Sequence, residues 1–112
     1  MSKPRTRSYS RHNQEAVALL GHMIGNARRD QGLTIADVAE RAGVSRGLVH
    51  RVENGDMGCA IGAVFEIATI VGVRLFDAEP PALQHHLAMA RDKLALLPRT
   101  VRARGKAVKD DF

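Results

Sequence analysis

Leu33–Gly55, LTIADVAERAGVSRGLVHRVENG, is the stretch from which the rest of the chain can be read. Thr34 stands as an N-cap whose hydroxyl can accept a backbone N–H one turn on, and Asp37 three residues later completes the arrangement of a capping box. A helix starts there. Val38 and Ala39 are branched or small apolar residues that face inward. Ala42 and Gly43 end the helix, the glycine supplying the left-handed backbone that a tight turn needs. Val44 plugs the corner. Ser45 is a second N-cap, and Leu48, Val49 and Val52 recur at helical spacing up to the Asn54-Gly55 stop.

Two short helices hinged at one glycine are the pattern of a DNA-reading helix-turn-helix. The segments ADVAERAGVS and RGLVHRVENG resemble the Xre/Cro-type helix-turn-helix of phage repressors and bacterial regulators. The likeness extends over about Ala16 to Phe76 and is carried by an ordered set: Arg28, Gly32-Leu33-Thr34, Ala39, Gly43-Val44-Ser45, Val49, Val52, Glu53 and Gly55. It implies an all-α fold, a compact five-helix bundle of the lambda-repressor-like DNA-binding kind. It also implies that Arg28 and Glu53 form a partly buried ion pair tying the first helix to the third. One departure matters. Members often carry a glutamine just after the cap of the first of these two helices, bracing a phosphate, and here that position is Ile35.

A chain of 112 residues, 45% apolar with few aromatics, suits one domain with a modest core of Ala, Val, Ile and Leu. No apolar run approaches the roughly 20 residues needed to span a bilayer. The N-terminal MSKPRTRSYSR lacks the apolar centre of a secretion signal, so the expected location is cytoplasmic. Cys59 is the single cysteine, which rules out an internal disulfide and reads as a buried or half-buried hydrophobe.

The net charge of +5 resides in the ends. Residues 1–11 hold Lys3, Arg5, Arg7 and Arg11 with no acid; residues 99–112 hold Arg99, Arg102, Arg104, Lys106 and Lys109 against Asp110 and Asp111. Between them, 12–98 carry eight basic and ten acidic residues, so position rather than total charge must argue for DNA. Arg28, Arg29, Arg46 and Arg51 gather on the end of the first helix and on the second helix of the motif, while Asp37, Glu40, Glu66, Asp77 and Glu79 fall mostly elsewhere. A one-sided phosphate-facing surface needs that segregation.

Outside the motif, residues 1–11 read as a flexible basic arm, either a solvated tail or an arm lying along phosphates or a minor groove. The domain proper is expected over 12–77. Asn13 is the expected cap of a first helix whose face is Val17, Leu20, Ile24 and Ala27, running to Gly32. After a loop from Asp56 to Ala60, a fourth helix is expected from Ile61 to about Val71, with Val64, Ile67, Ala68 and Val71 inward and Gly72 as its stop. Val73, Leu75 and Phe76 then tuck the chain back. A C-terminal helix is expected over 80–97, from about Pro81 and ending before Pro98. Its apolar residues Leu83, Leu87, Ala90, Leu94 and Leu97 are spaced 4, 3, 4, 3, a seven-residue seam fit either to pair with a twin or to pack on the chain's own helices. Residues 99–112 read as a flexible tail.

The DNA-contacting candidates follow from how a helix enters the major groove, its N-terminal side chains reaching base edges. Arg46, first after the Ser45 cap, presents a fork that matches guanine O6 and N7. His50 and Arg51 lie one turn on, and Gly47 leaves a reading position without a side chain. Thr34, Ser45 and Asn54 are phosphate-donor candidates, and Arg29 lies near the backbone. Such a short reader calls for a homodimer on double-stranded DNA, with repression the expected role.

No enzyme, catalytic residue, cofactor or metal is expected: Ser45 has no base arranged by a motif, and His85, His86 and Met89 lack the acid or cysteine framework of a zinc site. The serious rival is an interaction module. RTRSYSR, GDMGCAIGAVFEIATIVGVRLF and LALLPRTVRARGKAVKDDF resemble regulators of the HipB type. That likeness implies an antitoxin that binds its operator and restrains a HipA-like kinase. Phe112, an isolated aromatic after two acids, would in that case insert in a partner's pocket or serve as a degradation mark.

Overall fold

The computed structural model describes residues 8–101. Most of the basic arm, and the tail from Arg102 with Phe112, lie outside the described residues. The fold is all-α, and the described residues form five helices in chain order: α1 (Arg11–Asp30), α2 (Ile35–Ala42), α3 (Arg46–Glu53), α4 (Ile61–Ile70) and α5 (Pro80–Ala95). A single 3-10 turn, Leu75–Asp77, follows α4.

α1 begins earlier than its sequence suggested. The cap is Ser10, whose hydroxyl accepts the Asn13 N–H at 3.1 Å, so Asn13 is the third residue of the helix and not its cap. Both are good capping residues three apart; Ser10 has the extended backbone, ψ 153°, that the position demands. Of the expected inward face, Ile24 is fully buried while Val17, Leu20 and Ala27 are half-buried. The deeper stripe is Gly21, Ile24, Gly25 and Arg28, and it faces α3. α1 stops at Asp30, and Gln31 then donates its side-chain N–H to the Val71 carbonyl at the end of α4.

The α2–turn–α3 unit forms where local chemistry directs. Thr34 Oγ1 accepts the Asp37 N–H at 3.0 Å while Asp37 Oδ2 accepts the Thr34 N–H at 2.8 Å, a complete capping box. Gly43 takes φ 71°, ψ 33° and closes α2. Ser45 Oγ accepts the Leu48 N–H at 3.1 Å and opens α3. α2 packs on α3 and α4, and α1 on α3, around Ile24, Val38, Ala39, Val49, Val52, Ile67, Ala68 and Val71.

Asp37 also makes the cap sensitive to acid. The Thr34 N–H, and after it the Thr34 hydroxyl, hold this carboxyl below its ordinary value. Its stabilisation is therefore present above the unfolded carboxylate range, about pH 4, and is lost as pH falls through the folded value. Asp37→Asn should lower Tm at pH 7, with the gap to the wild type closing by about pH 2. A gap constant across that range would remove the charge from the account.

Beyond α4, Val73 and Leu75 are half-buried against the core, but Phe76 does not tuck in. It adopts φ 54° and is 75% exposed, its ring edge-on to Phe65 at 6.2 Å. The left-handed backbone turns this side chain outward.

The described residues divide into two compact units, the first ending at Asp77 and the second beginning at Ala78. The second contains α5, which ends at Ala95 and not at Leu97, so the last seam residue falls outside the helix, one residue before Pro98. A residue preceding proline is pushed out of the helical region. No residue of α5 is buried: Leu83 is half-buried, and Leu87, Ala90, Leu94 and Leu97 are exposed.

Candidate nucleic-acid interface

α3 is fixed by the face it buries. Val49 is fully buried and Val52 nearly so, with Leu48 packed beside them, and each such side chain contributes about 1.5–3 kcal/mol when removed from water. The opposite face is thereby committed to solvent. It carries Arg46, Gly47, His50 and Arg51, all exposed.

Arg46 makes no hydrogen bond or ion pair among the described residues, so its guanidinium is available to an outside acceptor. Arg51 is loosely tethered: its Nε lies 3.8 Å from Asp56 Oδ2, with both side chains well exposed. An exposed pair of this length contributes little and yields readily to a phosphate. Asp56 is itself held by the Gly58 N–H at 2.7 Å. A Cβ at Gly47 would meet nothing nearer than the Arg51 guanidinium and the Ser45 hydroxyl, both at 3.9 Å. Nothing among the described residues requires a glycine there.

The remaining phosphate-donor candidates are more engaged. Thr34 and Ser45 use their hydroxyl oxygens as acceptors for their own helices. Asn54 spends one amide N–H on the His50 carbonyl at 2.9 Å and keeps the other.

Beneath this surface, Arg28 Nε meets Glu53 Oε2 at 2.6 Å and Arg28 Nη2 meets Glu53 Oε1 at 3.1 Å, a bidentate pair with each side chain only 9% exposed. The hydrogen bond to Glu53, aided by its charge and opposed by burial, raises the Arg28 pKa above its ordinary value. Arg28 Nη1 also donates to the Leu33 carbonyl at 2.9 Å. One guanidinium thus ties α1 to α3 and to the loop that carries the α2 cap. The Leu33 contact has no sequence signature, because any residue supplies a carbonyl.

Sequence reasoning also missed Gly21 and Gly25. A Cβ at Gly21 would lie 2.5 Å from the Val52 carbonyl oxygen and 2.9 Å from that of Glu53; at Gly25 it would lie 3.1 Å from Glu53 Oε1. These two absences of side chain let α1 lie against the C-terminal half of α3. His22 and Asn26, each following one of these glycines, line a cleft with Arg29, His50 and Asn54. Three candidates that the sequence offered separately therefore share one surface.

Away from this face, Cys59 is half-buried and packs against the core. His85 and His86 are exposed on α5, their rings 6.2 Å apart. Among the described residues no cluster of His, Cys, Asp and Glu could hold a metal ion, and no helix is long and apolar enough to cross a membrane.

No curated protein and no solved structure matches the chain. A family described as a helix-turn-helix domain matches residues 19–79, from the middle of α1 through the 3-10 turn. That span holds the capping box, the left-handed turn at Gly43 and the solvent-facing side of α3. With more than half its length inside the match, the chain belongs to the helix-turn-helix domain family, a DNA-binding architecture.

Proposed function

We propose that this protein is a sequence-specific transcriptional regulator, a repressor that places α3 in the major groove of an inverted-repeat operator as a dimer. The observation that carries the reading is the core-anchored α3 with Arg46, Gly47, His50 and Arg51 on its free face. With its side chains an α-helix is about 10–12 Å across, a thickness that the major groove, about 12 Å wide, admits. Arg46 at the helix start reads guanine, a contact contributing roughly 1–3 kcal/mol of discrimination. The test is selection of duplexes from a random pool by the full chain, followed by titration. Arg46→Ala should weaken binding to the selected duplex by about 5- to 150-fold and binding to random duplex far less. Equal losses on both would reduce Arg46 to a phosphate contact.

Dimerisation is drawn from α5. Leu83, Leu87, Ala90 and Leu94 keep seven-residue spacing, with Leu97 just past the helix end; Leu87 is 49% exposed and Leu94 69%. A self-complementary seam suits a two-fold dimer whose half-sites lie about 34–36 Å apart. Leu87→Lys should convert dimer to monomer in sedimentation without unfolding the domain. The same exposed apolar surface supports a second reading, an antitoxin that also restrains a HipA-like kinase. A chain monomeric in isolation, which forms a stable complex when co-expressed with such a kinase, would favour it.

A further inference from the structure

The cleft between α1 and α3 has a volume of about 210 Å³. Its floor is Gly21, Gly25 and Glu53, where the two helices come closest. One wall is His22, Asn26 and Arg29, a stripe at i, i+4 and i+7 on α1; the other is His50 and Asn54, one turn apart on α3. Ile35 at the start of α2 edges it with apolar surface, so the polar groups come from α1 and α3 alone.

The inventory of those groups is lopsided. The side chains of His22, Asn26, Arg29 and His50 make no hydrogen bond or ion pair among the described residues, and Asn54 keeps one N–H free. The carboxylate in the floor is committed on both oxygens to Arg28, so its charge is compensated. What remains is the guanidinium of Arg29, two carboxamide donors and two imidazoles, lining a space whose one acidic side chain, Glu53, is already paired. Such a set suits a tetrahedral oxyanion.

We infer that this cleft is a phosphate-oxyanion site, filled by a phosphodiester of bound duplex or by the phosphate group of a free ligand. The first source rests on the DNA reading proposed above; the second does not. Asn26 and His22 become positioning donors for a backbone phosphate beside α3, outside the groove that Arg46 reads. Such a contact fixes register and carries no base preference.

The test uses the full chain. In the first arm, inorganic phosphate is titrated at constant ionic strength against a chloride control, following the side-chain amide resonances of Asn26 and Asn54 and the Arg29 Nε–H by NMR. Saturable shifts confined to these groups are expected, and they should vanish in Asn26→Asp. Arg29→Gln is the second variant, and both sit at exposed helix positions where thermal unfolding should be nearly unchanged.

In the second arm, random-sequence duplex is titrated at several salt concentrations. If a phosphodiester fills the cleft, Arg29→Gln flattens the slope of log affinity against log salt by about 0.9, the share of one neutralised phosphate, and duplex displaces inorganic phosphate. If a free ligand fills it, phosphate stays bound on the protein–DNA complex and the slope is unchanged. No saturable shift in the wild type, with an unaltered slope in both variants, overturns the inference. Failure of the wild type to bind any duplex would overturn the DNA reading instead, and the phosphate titration would then decide the cleft by itself.

Discussion

Truncating Glu53 to alanine is expected to destabilise the domain by about 3–5 kcal/mol, because it strands the Arg28 guanidinium beneath α3 with no counter-charge. Folding stabilities of this class run about 5–15 kcal/mol, so one substitution removes a large share of the total. Arg28→Ala should cost at least as much, since it abandons both the carboxylate and the Leu33 carbonyl. The double variant is the informative one. With both charges gone, no buried ion is left unpaired, and its loss should be well short of the sum of the singles. Denaturant titrations of the four proteins give the coupling directly; additive losses would mean that water reaches the pair and that each side chain contributes by packing alone. Glu53→Gln should fall between wild type and Glu53→Ala, keeping a hydrogen-bond acceptor while losing the charge.

That the pair joins these two residues followed from family resemblance, whereas the capping and turn at α2 and α3 could be read from the chain itself. Thr34 with Asp37, Gly43 and Ser45 act within four residues of where they stand, so sequence adjacency carries their physics. Where two local solutions compete, the reading fails. Ser10 and Asn13 are both good caps, and only the extended backbone at Ser10 separates them. The direction of Phe76 depends on a left-handed φ that no neighbouring residue announces. The α1–α3 cleft is harder still, because it exists only once two helices distant in sequence are laid side by side. Arg29, His50 and Asn54 were legible one at a time as polar residues near a reading helix. Their convergence with His22 and Asn26 is a property of the crossing.

Gly21→Ala should be the second most damaging small change, and it would be the hardest to foresee. In an amphipathic helix a glycine-to-alanine exchange ordinarily stabilises by up to about 1 kcal/mol through helix propensity. At Gly21 the new methyl would meet the Val52 and Glu53 carbonyl oxygens at 2.5 and 2.9 Å, both of them backbone atoms that no rotamer change can move aside. α1 must then back away from α3, at an overpacking cost of about 1–3 kcal/mol or more that outweighs the propensity gain. Separation also stretches the Arg28–Glu53 pair, so the loss is expected near the upper end, a fall in Tm on the order of 10–20 °C. Gly47→Ala supplies the opposite sign. Its methyl has no neighbour nearer than 3.9 Å, so Tm should hold or rise. Gly25 tests the mechanism between them, because its obstacle is the Glu53 side chain at 3.1 Å, pinned there by Arg28. Gly25→Ala should therefore destabilise the wild type but cost nothing, or help slightly, when Glu53 is already alanine. If Gly25→Ala is equally harmful in both backgrounds, the Glu53 side chain is not the obstacle that its methyl meets.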